Sequence, residues 1–326
     1  MLIYILRRTL YAIPVVLGVN LIAFVLFFGV TSPEQMARQI LGDKNIKAED
    51  VEDWLKLRGY DRPRLWNKDA NGLSKATDTI FFQKSMSLMW FDFGVSDDNQ
   101  RPIGGEIRRR MGPSLMIAVP MFFGAVFASV VMAMFVAHYR GTYLDVMALV
   151  LCVVLMSISE LFYIIGGQYL IGKELNLFPI SGFDSGLNSL RFTVMPFLIG
   201  IIARLGADVR FYRTVFLEEV NKDYVRTARS KGVSENGLLF RHVLKNAMVP
   251  ILTGVMMSLP FLFLGSLLLE NFFMIPGLGS FTIDAIESKD FAVVRAMVFL
   301  GAILYVVGAL LTDISYSLVD PRVRLE

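Results

Sequence analysis

The sequence predicts an all-α membrane protein: six transmembrane helices, with a small extracytoplasmic subdomain after the first. Three observations carry that expectation. Hydrophobic residues make up 55% of the 326 and charged residues 19%, against about 45–50% and about 25% in soluble domains. Mean hydropathy is +0.55. Apolar runs of roughly 20 residues, the length that crosses a bilayer as a helix, recur along the chain.

The first run covers residues 10–30 without a charge. It is too long for the apolar region of a signal peptide, and no A-x-A site follows it. Residues 31–113 mix Trp54, Tyr60, Trp66, Phe81, Phe82 and Trp90 with nearly balanced charges. They read as the extracytoplasmic subdomain, helical near 48–57. The second run is 114–137, uncharged, and the third is 146–171, interrupted only by Glu160. The fourth, 192–207, is short and contains Arg204. That arginine shares a helix face with Asp208 four residues on and can pair with it; its long side chain can also reach the headgroups. The fifth run is 248–269. The sixth is 293–311, with Arg295 near its start and Asp313 just past its end. The expected organisation is a cytoplasmic N-terminus and first helix at 1–30, the subdomain at 31–113, and a five-helix core at 114–326 with a cytoplasmic loop at 210–245.

Orientation follows from lysine and arginine in the short loops. Arg7 and Arg8 precede the first run and Arg140 follows the second. Arg210, Arg213, Lys222, Arg226, Arg229, Lys231, Arg241 and Lys245 follow the fourth, and Arg322 and Arg324 follow the sixth. With six spans all of these fall on one side, so both termini are expected in the cytoplasm.

The chain is poor in catalytic material. Its only histidines, His138 and His242, lie in different loops, which rules out H-E-x-x-H, and one cysteine cannot start a thiolate zinc site. Cys152 cannot form an intrachain disulfide either. Gly167–Lys173 satisfies G-x-x-x-x-G-K, but Glu174 follows where a phosphate loop needs Ser or Thr for magnesium. No catalytic residue, metal site or cofactor is expected on this chain, and energy for uphill movement must come from ions or a partner. A net charge of +3, from 32 basic and 29 acidic residues, gives nucleic acid no electrostatic footprint.

The 210–245 loop is the most informative segment, because helix–helix connections usually take about 2–8 residues. Leu217, Val220, Tyr224, Ala228 and Lys231 recur at helical spacing on one face. Asn221 or Asp223 can cap that helix. Gly232 follows Lys231, where a helix C-terminus favours glycine. A second helix can start at Ser234, with Glu235 near the positive end of its dipole. Two readings stand: an interfacial helix pair lying on anionic lipid, or a docking knob for another protein's groove. The small and polar residues Thr227, Ala228, Ser230 and Gly232 suit a tight cleft.

The segment Asp223-Tyr224-Val225-Arg226-Thr227-Ala228-Arg229-Ser230-Lys231-Gly232 resembles the coupling loop of the inner-membrane permeases of peptide ABC importers, the oligopeptide and dipeptide B-type subunits. Arg210, Arg213 and Glu218 upstream, and Arg241-His242, Asn246-Ala247 and Pro250 downstream, extend the likeness. So do Glu270, Phe273, Ile275-Pro276-Gly277-Leu278-Gly279, Asp290, Val294, Asp313, Tyr316 and Asp320-Pro321-Arg322. At the start, Tyr4-Ile5-Leu6-Arg7-Arg8, Ile13-Pro14 and Leu17-Gly18-Val19 resemble the family's opening. Asp61-Arg62-Pro63 and Phe91-Asp92-Phe93-Gly94-Val95-Ser96 resemble landmarks of its first external segment.

The resemblance implies the type I permease fold, a bacterial inner membrane, a second homologous permease, two ATPase subunits carrying ATP and magnesium, and an extracytoplasmic binding protein. It also implies that Asp223, Tyr224, Arg226, Thr227, Ala228, Lys231 and Gly232 form a coupling helix seated in an ATPase cleft. The general importer loop begins Glu-Ala-Ala, whereas Arg226-Thr227-Ala228 stands here, so the usual acid contact is not carried over; Asp223 is the substitute available.

Glu160, with Ser157 and Ser159, is the candidate translocation path, because an intramembrane acid is costly and usually faces a cavity or a partner. The alternative role is a polar bond between helices. The 17 methionines, among them Met121, Met132 and Met257, read as flexible packing. Gly166 with Gly167, and Gly254 with Ser258 and Gly265, suit close helix contact. Nickel, a glutathione-like conjugate or a peptide antibiotic are alternative cargos. An ion-driven carrier working alone is the competing class, and only Glu160 offers it an ion ligand.

Overall fold

A computed structural model describes residues 2–42, 47–184 and 186–319. Arg322 and Arg324 of the orientation argument, with Asp320 and Pro321, lie outside them. The described residues form helices and loops without a strand.

Among the described residues, five helices are long and apolar enough to cross a bilayer: Arg7–Val30, Ile103–His138, Ser189–Val220, Glu235–Phe272 and Phe291–Ile314. The third span departs from the sequence expectation. It is not one helix but a pair, Tyr143–Ser157 and Glu160–Glu174, bent by 89°. Counted as one broken span, the pair brings the total to six. The short fourth run belongs to a helix of 32 residues, Ser189–Val220, and Arg204 does pair with Asp208, at 3.6 Å.

The chain divides into two compact units, residues 1–112 with 278–307, and residues 113–277 with 308–326. In the first, the helix Pro33–Leu41 starts with a capping box: the Gln35 amide donates to the Ser32 hydroxyl at 3.2 Å, and the Ser32 amide to the Gln35 side chain at 3.0 Å. A second short helix, Ala48–Arg58, ends at Gly59 in the left-handed region. Both pack with Phe24 and Phe28 of Leu2–Val30 around Met36, Trp54 and Tyr60. A buried polar network links the loop at 96–97 to the start of the helix Phe291–Val319. The Asp290 carboxylate accepts from the Ser96 hydroxyl, from the Asp97 amide and from the Val293 amide, while Asp97 accepts from the Ala292 amide and the Tyr60 hydroxyl. Asp290 thus acts as an N-cap and ties segments nearly two hundred residues apart.

In the second unit, Arg213 makes a bidentate pair with Asp145, both bonds 2.8 Å, and the Gly141 amide adds a third bond to that carboxylate at 3.0 Å. Paired planar groups of this kind fix geometry as well as energy, so the pair sets the start of Tyr143–Ser157 against Ser189–Val220. Of the small-residue sets expected to bring helices together, Gly167 does so: a β-carbon there would lie 2.3 Å from Ile199. Gly166 and Gly254 face open space. Gly206 makes a close approach that no sequence pattern announces, with the Cys152 carbonyl 2.7 Å from its β position.

Candidate functional site

The loop at 210–245 is built from the end of Ser189–Val220, an eight-residue helix Asp223–Ser230, and a helical segment that starts at Glu235. The expected continuous face from Leu217 to Lys231 is interrupted. Asn221 closes the long helix, and Lys222, with extended backbone, takes the N-cap position of the short one without a side-chain cap. Neither Asn221 nor Asp223 caps it. Asp223 is instead its first residue, where a negative charge meets the positive end of the dipole.

The C-terminus follows the glycine rule. Gly232 has φ +80, its amide donates to the Arg229 carbonyl at 3.0 Å, and the Val233 amide donates to the Ala228 carbonyl at 3.3 Å. This is a Schellman closure. The next helix begins as expected, with the Ser234 hydroxyl accepting from the Gly237 amide. Arg229 reaches Glu235 through two bonds of 2.8 and 3.1 Å. That guanidinium holds the Glu235 carboxyl below the usual carboxylate range.

The eight-residue helix has two faces. Val225 and Ala228 are buried in a core shared with Phe216, Val220, Leu238, Leu239 and Val243. Asp223, Arg226, Thr227, Lys231 and Gly232 are exposed. Ala228 therefore faces the chain's own core, and Tyr224 is half-buried. The Tyr224 hydroxyl donates to Glu219 at 2.7 Å, and Lys222 pairs with the same carboxylate. Burial, helped by Glu219 and opposed by a bond from Asn246, pushes the Tyr224 hydroxyl up to about 12. It remains a donor at every physiological pH. Sequence periodicity omits Val225 from the buried face, although its i,i+3 spacing to Ala228 is the signal that finds it. Nothing in the sequence marks Glu219 as the partner of Tyr224.

The three expected path residues do not share one cavity. Ser157 and Ser159 line a largely apolar cavity of about 750 Å³ with Phe162, Tyr163, Gly166 and Ile199. Glu160 lines a second cavity of about 390 Å³ with Met121, Phe122 and Arg204. The break separates them. Ile158 and Ser159 have extended backbones, and Glu160 opens the next helix. The Ser157 hydroxyl donates to the Val153 carbonyl and the Tyr163 hydroxyl to the Leu155 carbonyl, each at 2.8 Å. The Leu155 carbonyl lies in the last turn of Tyr143–Ser157, where backbone acceptors lose helical partners, whereas the Ser157 bond to Val153 is a back-bond within that helix.

Glu270 stands out in the sequence by resemblance alone. It is buried, and its carboxylate accepts from the Ser266 amide at 3.2 Å. A β-carbon at Gly265 would meet Glu270 Oε1 at 2.0 Å, and one at Gly277 would meet Oε2 at 2.1 Å. Those glycines, with Ser114, form a cradle for the carboxylate.

Gly167–Lys173 runs from a helix end into a π turn, with Lys173 over the Tyr169 ring. Among the described residues no group of three or more His, Cys, Asp or Glu side chains converges to hold a metal.

Comparison with known proteins bears on the whole chain. Residues 110–325 match the model of a family described as binding-protein-dependent transport system inner membrane component. A Brucella abortus (strain 2308) protein named as a peptide transport system permease is 33% identical over 99% of each chain. The glutathione transport system permease protein GsiC of Escherichia coli is 29% identical over 99% of each. The oligopeptide transport system permease protein AppB of Bacillus subtilis (strain 168) is 26% identical over 98% of this chain and 99% of its own.

Proposed function

This chain belongs to the family of inner membrane components of binding-protein-dependent transport systems, and on that premise we propose that it is the membrane-spanning subunit through which an ATP-driven importer admits peptides or peptide-like solutes. The cargo class is supported by relatives named for peptide, oligopeptide and glutathione transport. In this reading the nucleotide sites belong to partner subunits and not to this chain. ATP and magnesium act on two partner ATPase subunits, a second homologous permease completes the pathway, and an extracytoplasmic binding protein delivers the solute. Both termini and the 210–245 loop lie in the cytoplasm, and the 31–113 subdomain lies outside.

The observation that carries the proposal is the construction of Asp223–Ser230. One face is buried in a core continuous with Ser189–Val220 and Leu244–Ser258, while the other offers Asp223, Arg226, Thr227 and Lys231 to a partner. An element docked through its outer face and packed through its inner face transmits displacement, because a close-packed core yields little. Motion of an ATPase would thereby reach both long helices and, through Arg213 and Asp145, the broken span.

Gly232 tests this. A β-carbon at Gly232 would meet no neighbouring atom within 4 Å, but φ +80 is hostile to a β-branched residue. Gly232→Val is expected to cost about 1–3 kcal/mol at that turn and to loosen the C-terminus of the helix. In proteoliposomes holding the complete assembly, solute imported per ATP hydrolysed should fall several-fold. Unchanged stoichiometry removes the coupling role. Uptake by this chain alone, without nucleotide and on an ion gradient, replaces the proposal with a secondary carrier.

A further inference from the structure

The break in the third span exposes an acid that no hydrogen bond or ion pair holds among the described residues. Glu160 is the first residue of its helix. Among the described residues its carboxylate takes no hydrogen bond and no ion pair, and no interhelical bond accounts for it. Arg204 shares its cavity but already pairs with Asp208, at 3.6 Å. Glu160, Arg204 and Asp208 together carry one net negative charge. A carboxylate at the middle of a span is expensive unless a cation meets it.

The space beside it is suited to a guest. The cavity of about 390 Å³ falls in the range of small-ligand sites, about 300–1,000 Å³. Met121, Phe122, Leu262 and Leu269 supply apolar wall, and Ser258 and Ser266 stand at its polar side. Such a mixture accepts a charged group with an apolar neighbour. The larger cavity across the break holds no ionisable acid or base among its lining residues apart from the Tyr163 hydroxyl, so the charge preference belongs to the Glu160 side alone.

We infer that this cavity is a transient subsite for a primary ammonium group of the solute, with Glu160 accepting its hydrogen bonds. The inference rests on the peptide reading above. The ammonium can be a peptide's α-amino group or a lysine side chain, since both present the same chemistry to a carboxylate.

The test uses the complete reconstituted assembly with its binding protein and three labelled peptides: a free tripeptide, its Nα-acetyl form, and an Nα-acetyl form containing lysine. The readout is uptake by Glu160→Gln divided by uptake by wild type for each peptide, a ratio in which the binding protein's own preference cancels. The expected ratio is about one-tenth for the free peptide and near one for the acetylated peptide without lysine. A low ratio for the lysine-containing peptide assigns the side-chain amine to the same subsite, and a ratio near one restricts the subsite to the α-amine. Glu160→Asp should keep most of the free-peptide uptake. It decides the matter where blocked peptides move too slowly to measure, because a purely structural role predicts loss in both variants. Equal ratios for all three peptides, or no loss in Glu160→Gln, overturn the inference and leave the peptide reading standing. A wild-type assembly that carries none of the three but imports another solute overturns that reading, and the inference with it.

Discussion

Gly277→Ala is expected to abolish a stably folded permease. The added β-carbon would sit 2.1 Å from Glu270 Oε2, 2.4 Å from Cδ and 2.5 Å from the Ser114 hydroxyl oxygen. None of these atoms belongs to a flexible surface tip, since Glu270 is 2% exposed and Ser114 fully buried. The carboxylate must therefore leave its cradle. Expelling a buried charge from its partners costs about 3–5 kcal/mol, which is a large share of the 5–15 kcal/mol or so that separates folded from unfolded chains. Gly265→Ala meets the same carboxylate from the other side at 2.0 Å and adds strain at φ +71. Size-exclusion profiles and thermal unfolding of detergent-extracted protein check the result. Wild-type yield and melting temperature in Gly277→Ala would show that the carboxylate is not confined there.

Reversing the outward charges of Asp223–Ser230 and its C-terminal turn should stop import while leaving the chain folded. Arg226 is exposed and forms a loose ion pair with Asp223 at 3.7 Å; Lys231 is exposed too. Surface pairs contribute little to stability, about 0–1 kcal/mol. A charge facing the wrong sign across a protein interface costs several kcal/mol. Arg226→Glu combined with Lys231→Glu is thus expected to leave yield and melting temperature near wild type and to lower ATP-driven uptake by tenfold or more. Normal uptake would return the loop to the alternative reading, a basic helix pair resting on anionic lipid.

The spans are legible in the sequence because an uncharged apolar run of bilayer length seldom folds as anything but a membrane helix. The break in the third is not. No proline or glycine marks residues 158–159, and the apolar residues on both sides suggest one continuous helix with Glu160 inside it. Ser159 followed by Glu160 is the signature of a helix N-terminus, hidden within that run. Gly232 and Ser234 are legible for the opposite reason: each obeys a local rule about helix ends that tertiary contacts do not override. The inner face of the short helix is half legible. Periodicity finds Tyr224 and Ala228 but carries the helix through Asn221–Lys222, where the backbone turns. Long-range polar links have no sequence signal at all. Nothing near Glu270 announces that Ser114, Gly265 and Gly277 will surround it, and nothing in Ser96-Asp97 points to Asp290.

If the outward face of Asp223–Ser230 docks on an ATPase, a cysteine placed on that face will lie within reach of the partner's lysines. The native cysteine, Cys152, is buried, so a cysteine introduced at the exposed Thr227 can be addressed by itself. Thr227→Cys in the intact assembly, treated with a short thiol-to-amine cross-linker, should join this chain to the ATPase subunit, with a yield that changes between nucleotide-free and ATP-bound states. A Thr227→Cys chain that cross-links only to lipid amines, or that reacts with a membrane-impermeant reagent added outside sealed cells, contradicts docking on an ATPase.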